Sequence, residues 1–335
     1  MKMSERNSRT SAPRIVAIGG GTGLSTMLRG LKTVSPAITA IVTVADNGGG
    51  SGVLRQELGM PPPGDVRNCL QALANTEPTM EALLAHRFRD GNLRGQSFGN
   101  LFLAALNEMS GSFDEAVARM SEVLAITGRV LPVTNEKVDL VADFDDGATV
   151  VGQIQIAGYR SGTDRRIRRV YLSPERPPAV KGCLEALEKA DLILLGPGSL
   201  YTSVLPNLVV EGISEAIRSS RGAKVYIMNL MTQEGETAGY TAFDHVRALF
   251  DHGGDALFDH CLINDLPVPP EALELYRREG SAPISVDVTA LARMGVRADF
   301  APVADFAHGL VRHDPMALAR AIMDLYHRIS PTRIY

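Results

Sequence analysis

The segment from Arg14 to Lys32, RIVAIGGGTGLSTMLRGLK, joins an apolar run to a helical pattern through a cluster of glycines. The run from Arg14 to Ile18 is rich in β-branched residues, which favour a buried strand. After the glycines, the apolar residues at positions 24, 27, 28 and 31 recur at helical spacing. A second β-branched run, Ile38 to Val44, follows. The sequence therefore predicts an opening β-α-β unit, the building block of a parallel sheet.

The same alternation returns in the second half of the chain. We expect strands at Leu192–Leu195, Lys224–Met228 and Cys261–Asn264, with helices near 208–217 and 240–250 and a last helix that Asp314 caps. The predicted fold is α/β: a Rossmann-like, doubly wound, mostly parallel sheet. A helical block is expected as an insert at about 61–127 and a small β-hairpin region at about 130–172. We expect residues 14–330 to form a single domain behind a disordered tail over residues 1–13.

Composition excludes several classes of protein. Of the 335 residues, 45% are hydrophobic and 21% are charged, which is typical of a globular chain and not of a disordered one. The net charge of -4 supplies no global attraction to nucleic acid or to an anionic membrane. Because no apolar run reaches the length of a membrane span and the N-terminal residues lack a signal-peptide core, we expect a cytoplasmic protein.

Cysteine and histidine spacing argues against structural disulfides and zinc. Cys69, Cys183 and Cys261 are odd in number and far apart, so we expect three buried thiols that behave as small hydrophobes. Four arginines between Arg165 and Arg169 predict a solvated basic surface.

The first glycine loop, Gly19–Gly23, predicts an anion site. Free backbone N–H groups and the helix dipole favour a phosphate where such a loop enters a helix. The spacing matches neither a Rossmann fingerprint, since Leu24 stands where a glycine is needed, nor a Walker loop. A plain tight turn remains the alternative.

Asp46 follows the second strand and is itself followed by Gly48, Gly49 and Ser51. A carboxylate in this place can hold a ribose hydroxyl or Mg²⁺, with Arg55 adding charge nearby; the alternative is an exposed turn that Asp46 caps. In PPPGDVRN, Pro61 to Asn68, Asp65 is predicted to be a helix N-cap and Asn68 to face a ligand.

The segment GQSFGN, Gly95 to Asn100, matches the nucleophile-elbow pattern of hydrolases. That chemistry needs a preceding buried strand, and His86 to Arg94 is polar and charged, so a serine hydrolase is disfavoured. We expect Ser97 and Asn100 to lie at a helix N-terminus and contact a polar ligand.

A second strand-then-glycine segment, Leu195 to Ser203, reads LGPGSLYTS. Two such loops at the carboxyl ends of parallel strands can flank one cleft. Asn229 and Thr232 would belong to the same rim. This pairing of loops is the strongest functional constellation in the sequence.

Seven motifs together resemble one family, the YvcK-type gluconeogenesis factors of the CofD-like superfamily, over about residues 14 to 328. They are GGGTGLSTMLRGLK (19–32), TVADNGGGSG (43–52), PPPGDVRN (61–68), GQSFGN (95–100), GPGSLYTSVLPNL (196–208), NLMTQ (229–233) and RHD (312–314). The resemblance implies a Rossmann-like fold that binds a nucleotide-sugar of the UDP-hexosamine kind. It also implies a regulator that links central carbon metabolism and gluconeogenic growth to cell-wall synthesis and thereby affects cell shape.

The other branch of the superfamily contains a transferase that moves a 2-phospholactyl group from a nucleoside-diphosphate-linked donor with Mg²⁺. It typically carries a lysine inside the first glycine motif, where this chain has Leu24-Ser25-Thr26. The family commonly has a second Asp at position 47, where Asn47 stands here, and His where Gln96 stands. Losing that carboxylate weakens metal-dependent transfer more than it weakens sugar-nucleotide binding, so the regulator is favoured over the enzyme. An NAD-dependent oxidoreductase is disfavoured by the glycine spacing.

Under the regulator hypothesis the two glycine loops hold a diphosphate, Asp46 and Asn229 contact ribose or sugar hydroxyls, and Tyr276 with Arg312 clasp the nucleoside. No catalytic residue and no required cofactor are expected. A nucleotide-sugar ligand, a protein partner in cell-wall or carbon metabolism and self-association are expected; Asp46 and Asp65 would hold Mg²⁺ only in the transferase. The candidate binding residues are Gly20, Gly21, Thr22, Gly23, Leu24, Asp46, Gly48, Gly49, Ser51, Asn68, Ser97, Asn100, Gly196, Pro197, Gly198, Ser199, Asn229, Tyr276 and Arg312.

Overall fold

A computed structural model describes residues 12–330 of the chain. The predicted disordered tail over residues 1–13 lies almost entirely outside these residues. The strands, in chain order, are β1 (Ile15–Gly19), β2 (Ile38–Val42), β3 (Arg129–Pro132), β4 (Asp139–Phe144), β5 (Thr149–Val151), β6 (Ile167–Ser173), β7 (Leu192–Leu195), β8 (Ala223–Ile227), β9 (His260–Asn264), β10 (Arg297–Ala301), β11 (Ala304–Asp305) and β12 (Arg312–His313).

Seven of these strands form one parallel sheet in the order β10-β9-β8-β7-β1-β2-β3. Strand β1 pairs with β2 on one side and with β7 on the other, so the winding of the chain reverses at this point. The predicted α/β, doubly wound, Rossmann-like fold is confirmed. Ligands of such sheets bind where the winding reverses, outside the carboxyl ends of the strands.

Helices cover the sheet. They are α1 (Gly21–Leu31), α2 (Gly49–Leu58), α3 (Gly64–Leu73), α4 (Pro78–Ala85), α5 (Phe98–Glu108), α6 (Phe113–Val123), α7 (Gln153–Arg160), α8 (Lys181–Lys189), α9 (Leu205–Leu208), α10 (Ile213–Ser219), α11 (Glu234–Thr237), α12 (Ala242–Gly253), α13 (Pro270–Arg278), α14 (Val288–Arg293) and α15 (Pro315–Ile329). Short 3₁₀ turns occupy Gly91–Leu93 and Ala307–Gly309, and a π turn occupies Leu200–Val204.

Strand β1 is buried on both faces, since Ile15 to Ile18 are each at most 2% exposed. This burial explains why the strand is a continuous apolar run and does not alternate. Helix α1 packs its apolar residues on this centre and crosses α15 very closely: a Cβ built on Gly30 would stand 1.8 Å from the carbonyl oxygen of Pro315. Asp314 caps α15 as predicted, accepting the N–H of Ala317.

The region from 130 to 172 differs in part from the predicted hairpins. Strand β3 is the edge of the large parallel sheet, while β5, β4 and β6 form a separate antiparallel sheet. The predicted hairpin region also contains a helix, since α7 begins at Gln153 directly after β5. In this helix Ile156 and Arg160, four residues apart, share the buried face, while Ile154 is exposed.

The expected basic surface is confirmed in this small sheet. Arg165 pairs with Asp146 and stacks on Tyr159, while Arg169 pairs with Asp143.

Two helix starts also differ from the sequence prediction. Helical structure after the second glycine loop begins at Leu200 and not near Leu208. The turn Leu200–Val204 is wholly buried, so its sequence carries no amphipathic pattern that would reveal it. Asp65 is not the N-cap of α3; Pro63 holds that position, and Asp65 lies in the first turn with its carboxylate facing the first glycine loop.

The three cysteines are free and buried, as predicted. Across residues 12–330, the helices all fall short of the length and apolarity that crossing a bilayer would require.

Candidate functional site

A cleft of about 570 Å³ opens at the carboxyl ends of β1, β7 and β8. It lies at the strand pair where the winding reverses, and its volume is in the range of small-molecule sites. The lining residues predicted from the sequence are Gly20, Gly21, Thr22, Gly23, Pro197, Gly198, Ser199, Asn229, Thr232, Tyr276 and Arg312. The structure therefore brings both glycine loops and the two distant residues Tyr276 and Arg312 to one place.

The first glycine loop leads directly from β1 into α1. Gly21 has a φ of +65°, a left-handed conformation that favours glycine. Gly23 is required for another reason: a Cβ on it would stand 2.6 Å from the carbonyl oxygen of Pro197. The two loops thus touch backbone to backbone. Leu24, which follows, is fully buried and packs in the core, so only its backbone is available to a ligand.

The second glycine loop is held by a side-chain amide. Asn229 Oδ1 accepts the N–H of Gly198 at 3.1 Å, and its Nδ2 donates to the Gly198 carbonyl at 2.8 Å. Gly196, directly after β7, has a φ of +73°. Because both groups of the Asn229 amide pair with one glycine, this side chain fixes the loop at the floor of the cleft.

Tyr276 and Arg312 form the opposite wall. The hydroxyl of Tyr276, on α13, accepts the N–H of Val311 at 3.0 Å and so anchors the residue that directly precedes Arg312 and β12. The Tyr276 ring packs with Met231 and Val311 in a small apolar cluster. Arg312 is exposed, and within the described part of the chain its guanidinium makes no ion pair.

His313 also lines this wall. Burial lowers the pKa of its imidazole to about 4, so the ring is neutral at pH 7. Its Nε2 is inaccessible to solvent and has no hydrogen-bond partner among residues 12–330.

Nine candidate residues do not line the cleft. Two of them, Leu24 and Gly196, belong to the glycine loops, and the other seven lie around the starts of α2, α3 and α5, in a group that we call the acidic group. Asp46 accepts the N–H of Gly48, and its Oδ2 stands 3.3 Å from where a Cβ of Gly64 would be. The Ser51 hydroxyl is 3.5 Å from the amide nitrogen of Asn100. The members of the group are Asp46, Gly48, Gly49, Ser51, Asn68, Ser97 and Asn100, with Asp65.

Within the acidic group, Ser97 has a structural task, since its Oγ caps α5 by accepting the N–H of Asn100. No buried strand precedes it, in agreement with the rejection of a hydrolase. Asn68 lies on α3 three residues after Asp65 and is half-buried. Gly49 opens α2 with a φ of +48°. Arg55 is buried and pairs with Asp139, and its positive charge favours the ionised form of Asp46 from a distance.

Asp65 connects the acidic group to the cleft. Its Oδ2 stands 2.6 Å from where a Cβ of Gly20 would be, and the N–H of Gly21 faces the carboxylate and favours its ionised form. Burial, and after it the nearby charge of Asp46, raises the pKa of Asp65 to about 6. Burial also raises the pKa of Asp46. The arrangement places one carboxylate, Asp65, against the first glycine loop and a second, Asp46, close enough to Asp65 for their charges to interact.

A third carboxylate, Glu236 on α11, lies behind the second loop. It accepts the N–H of Tyr201 at 3.0 Å and the hydroxyl of Thr202. Burial raises its pKa, and Arg160 opposes that shift with its charge. The carboxylate therefore stabilises the backbone that follows the Gly196–Ser199 loop.

Several cleft residues were not predicted individually. Some of them, such as Leu230, Met231 and His313, lie in motifs that the sequence analysis had marked, whereas Glu279 and Ser281 follow α13 and carried no sequence signal. The additional lining residues are Thr26, Ser203, Leu230, Met231, Gln233, Glu234, Glu279, Ser281, Val311 and His313.

Comparison with known proteins places this geometry in a family. The model of the family described as "2-phospho-L-lactate transferase CofD" matches residues 15–303. The chain belongs to the CofD family. Among CofD relatives, a protein of Thermoanaerobacterium thermosulfurigenes is 52% identical over 315 residues, which is 94% of this chain and 97% of that protein. The Bacillus subtilis protein named gluconeogenesis factor is 46% identical over 314 residues, 93% of this chain and 98% of its own.

A crystal structure of a protein from Bacillus halodurans, described in a second crystal structure as a UPF0052 family member, has the same fold as this CofD-family chain. It superposes with a TM-score of 0.90 at 46% identity and covers 93% of this chain and 100% of its own. The resemblance to the gluconeogenesis-factor branch of the CofD family is confirmed.

Proposed function

We propose that the cleft binds a nucleotide-sugar of the UDP-hexosamine type and that the protein acts as a regulator and not as a catalyst. In this role it links central carbon metabolism during gluconeogenic growth to cell-wall synthesis and cell shape. One observation carries the binding half of the proposal: two glycine loops from opposite sides of the winding reversal meet in one cleft of about 570 Å³. The relatives named gluconeogenesis factor support the regulatory half.

The proposed ligand is accommodated as follows. The diphosphate lies along the Gly20–Leu24 and Gly196–Ser199 loops. In the first loop the N–H groups at the start of α1 suit an anion. In the second loop the N–H of Gly196 donates to Ile18 and that of Gly198 donates to Asn229, so the N–H of Ser199 is the donor assigned to the ligand. Arg312 provides a cation that is not engaged in an ion pair within residues 12–330, and it binds the diphosphate or a base carbonyl. Tyr276 contributes its ring edge and holds Arg312 in place through Val311.

Hydroxyl contacts are assigned to Asp46 and Asn229. The Asn229 amide already pairs with Gly198, so its ligand contact uses the second lone pair of Oδ1. Asp46 lies in the acidic group beyond Gly20 and reaches a sugar that extends past the first loop. No cofactor is required in this arrangement, and the regulatory output requires a protein partner in cell-wall or carbon metabolism.

A transferase is the second candidate, favoured by the description of the family model and by the two neighbouring carboxylates Asp46 and Asp65. Mg²⁺ commonly uses one or two carboxylates together with substrate phosphates, and this pair fits that requirement. Within residues 12–330 no cluster of three or more His, Cys, Asp or Glu residues could hold a metal alone. Bound there, Mg²⁺ would neutralise phosphate charge while a 2-phospholactyl group leaves its nucleoside-diphosphate donor.

The deciding experiment is calorimetry with UDP-N-acetylglucosamine, with NAD, GDP and UDP as comparators, followed by mass analysis of the recovered ligand. Tight binding of the intact UDP-sugar supports the regulator. Preference for GDP with Mg²⁺, or a chemically altered ligand, overturns it in favour of the transferase.

A further inference from the structure

A protein carboxylate faces the N-terminus of α1, where the glycine loop should hold a phosphate. Asp65 Oδ2 lies 2.6 Å from where a Cβ of Gly20 would be, and the Gly21 N–H faces it. This carboxylate belongs to α3 and reaches the loop because α1 and α3 pack side by side. A built-in anion therefore already uses part of the positive end of the α1 dipole.

The second loop shows the same feature. Glu236 accepts the N–H of Tyr201 and the hydroxyl of Thr202, directly after the Gly196–Ser199 loop, and is 6% exposed. A protein carboxylate therefore lies against each glycine segment, Asp65 against the first and Glu236 against the backbone that follows the second.

Few cations compensate for these charges. Among the cleft-lining residues, all within the described range, Arg312 carries the one side-chain positive charge, whereas Glu234 and Glu279 are acidic. His313 is neutral at pH 7 because burial lowers its pKa. Arg67 donates its hydrogen bonds to the side chains of Asn100 and Gln71, and it offsets the charge of Asp65 in part and only through space.

We propose that Asp65 is a specificity-determining residue that makes the cleft select ligands by charge. It admits a nucleotide-sugar, whose diphosphate is esterified at both ends and carries two negative charges, and disfavours a free nucleoside di- or triphosphate, whose terminal phosphate adds more. This inference rests on the proposed function, since it assumes that the cleft binds a nucleotide-sugar.

The physical reason is the local dielectric. Asp65 is half-buried, and charges separated by a few ångströms interact severalfold more strongly near a protein interior than in bulk water. Each additional negative charge on the ligand therefore meets a larger penalty than Arg312 alone can offset. A site built this way distinguishes a sugar-linked uridine nucleotide from the free nucleotide, although both present the same base and ribose.

The test compares wild type with Asp65→Asn, which keeps the shape and an oxygen acceptor for the Gly21 N–H but removes the charge. Dissociation constants for UDP-N-acetylglucosamine, UDP and UTP are measured at pH 8 without divalent cations. We expect Asp65→Asn to lower the dissociation constants of UDP and UTP more than that of UDP-N-acetylglucosamine. The ratio of the UDP constant to the UDP-N-acetylglucosamine constant should fall by at least about threefold.

Two further variants separate charge from structure. Asp65→Glu retains the charge and should retain the wild-type preference, whereas Glu188→Gln, which neutralises an exposed carboxylate on α8 outside the cleft, should leave every constant unchanged. If Asp65→Asn does not fold, Asp65→Ser takes its place with the same expected narrowing.

If Asp65→Asn still binds UDP-N-acetylglucosamine with an unchanged preference over UDP, the role of Asp65 is overturned while the proposed function stands. Failure of folded wild type to bind UDP-N-acetylglucosamine overturns the proposed function and this inference together.

Discussion

Gly23 lies so close to Pro197 that a Cβ built on it would stand 2.6 Å from the Pro197 carbonyl oxygen and 2.9 Å from its carbonyl carbon. The two residues are far apart in the chain, yet they join the loops that follow β1 and β7. Their contact is the point at which the two halves of the sheet close one cleft, and the following predictions test what that cleft requires.

Replacing Gly23 by alanine should push the two loops apart. Overpacking against rigid backbone typically costs about 1–3 kcal/mol in the free energy of unfolding, and ligand affinity should fall with it. The control is Gly158→Ala on α7, where nothing stands within 4 Å of an added Cβ and the helix should gain about 0.5–1 kcal/mol. Denaturant melts and calorimetry measure both; equal stability changes in the two variants would contradict the close contact.

Arg312→Ala should weaken binding of the UDP-sugar by about 1–3 kcal/mol, the range for a charged hydrogen bond. Arg320→Ala, which removes an exposed arginine of α15 outside the cleft, provides the matched control and should bind as wild type does. Calorimetry on both variants checks this expectation. Wild-type affinity in Arg312→Ala would remove that guanidinium from the site.

Two substitutions separate the ring of Tyr276 from its hydroxyl. Tyr276→Ala removes both and should cost about 1–3 kcal/mol in binding. Tyr276→Phe removes only the acceptor of the Val311 N–H, so it should weaken binding by about 0.5–1.5 kcal/mol. It should also increase the rate of hydrogen exchange at the Val311 amide. Unchanged exchange at Val311 in Tyr276→Phe would show that the hydroxyl does not anchor this strand.

Asp65 should make stability depend on pH with a definite sign. Its pKa is raised to about 6 in the folded protein, against about 3.9 in an unfolded chain, so the folded state binds the proton more tightly. The contribution of this group is favourable at low pH and is lost as pH rises from about 4 to about 6.

Asp65→Asn does not titrate at this position. The amount by which its free energy of unfolding exceeds that of wild type should therefore be small at pH 4 and grow toward about 2–3 kcal/mol above pH 7. Melts of both proteins between pH 4 and 8 measure the difference, with Glu188→Gln as the exposed control. A difference that stays flat across this range would contradict the burial of an ionised Asp65.

Local pattern explains which elements could be predicted. Strand β1, its glycine loop and α1 follow from apolar spacing within nineteen residues, and the strand β7 was predicted at Leu192–Leu195, where the structure has it. Helix formation at Leu200 escaped prediction because the turn is buried on all sides and so carries no periodic signal. The predicted capping role of Asp65 was wrong because its carboxylate interacts with a loop 44 residues earlier in the chain.

The amino-acid sequence by itself determined the parallel, doubly wound sheet and the presence of two glycine loops, because hydrophobic period and glycine position act over short distances along the chain. Only the tertiary structure decided which candidate residues line the cleft and which lie in the acidic group. Helix packing brought Tyr276 and Arg312 to the cleft, moved Asp46, Ser51 and Asn100 into the neighbouring acidic group, and set the carboxylate of Asp65 against Gly20. Such contacts depend on the relative positions of distant elements, and no spacing in the chain encodes those positions directly.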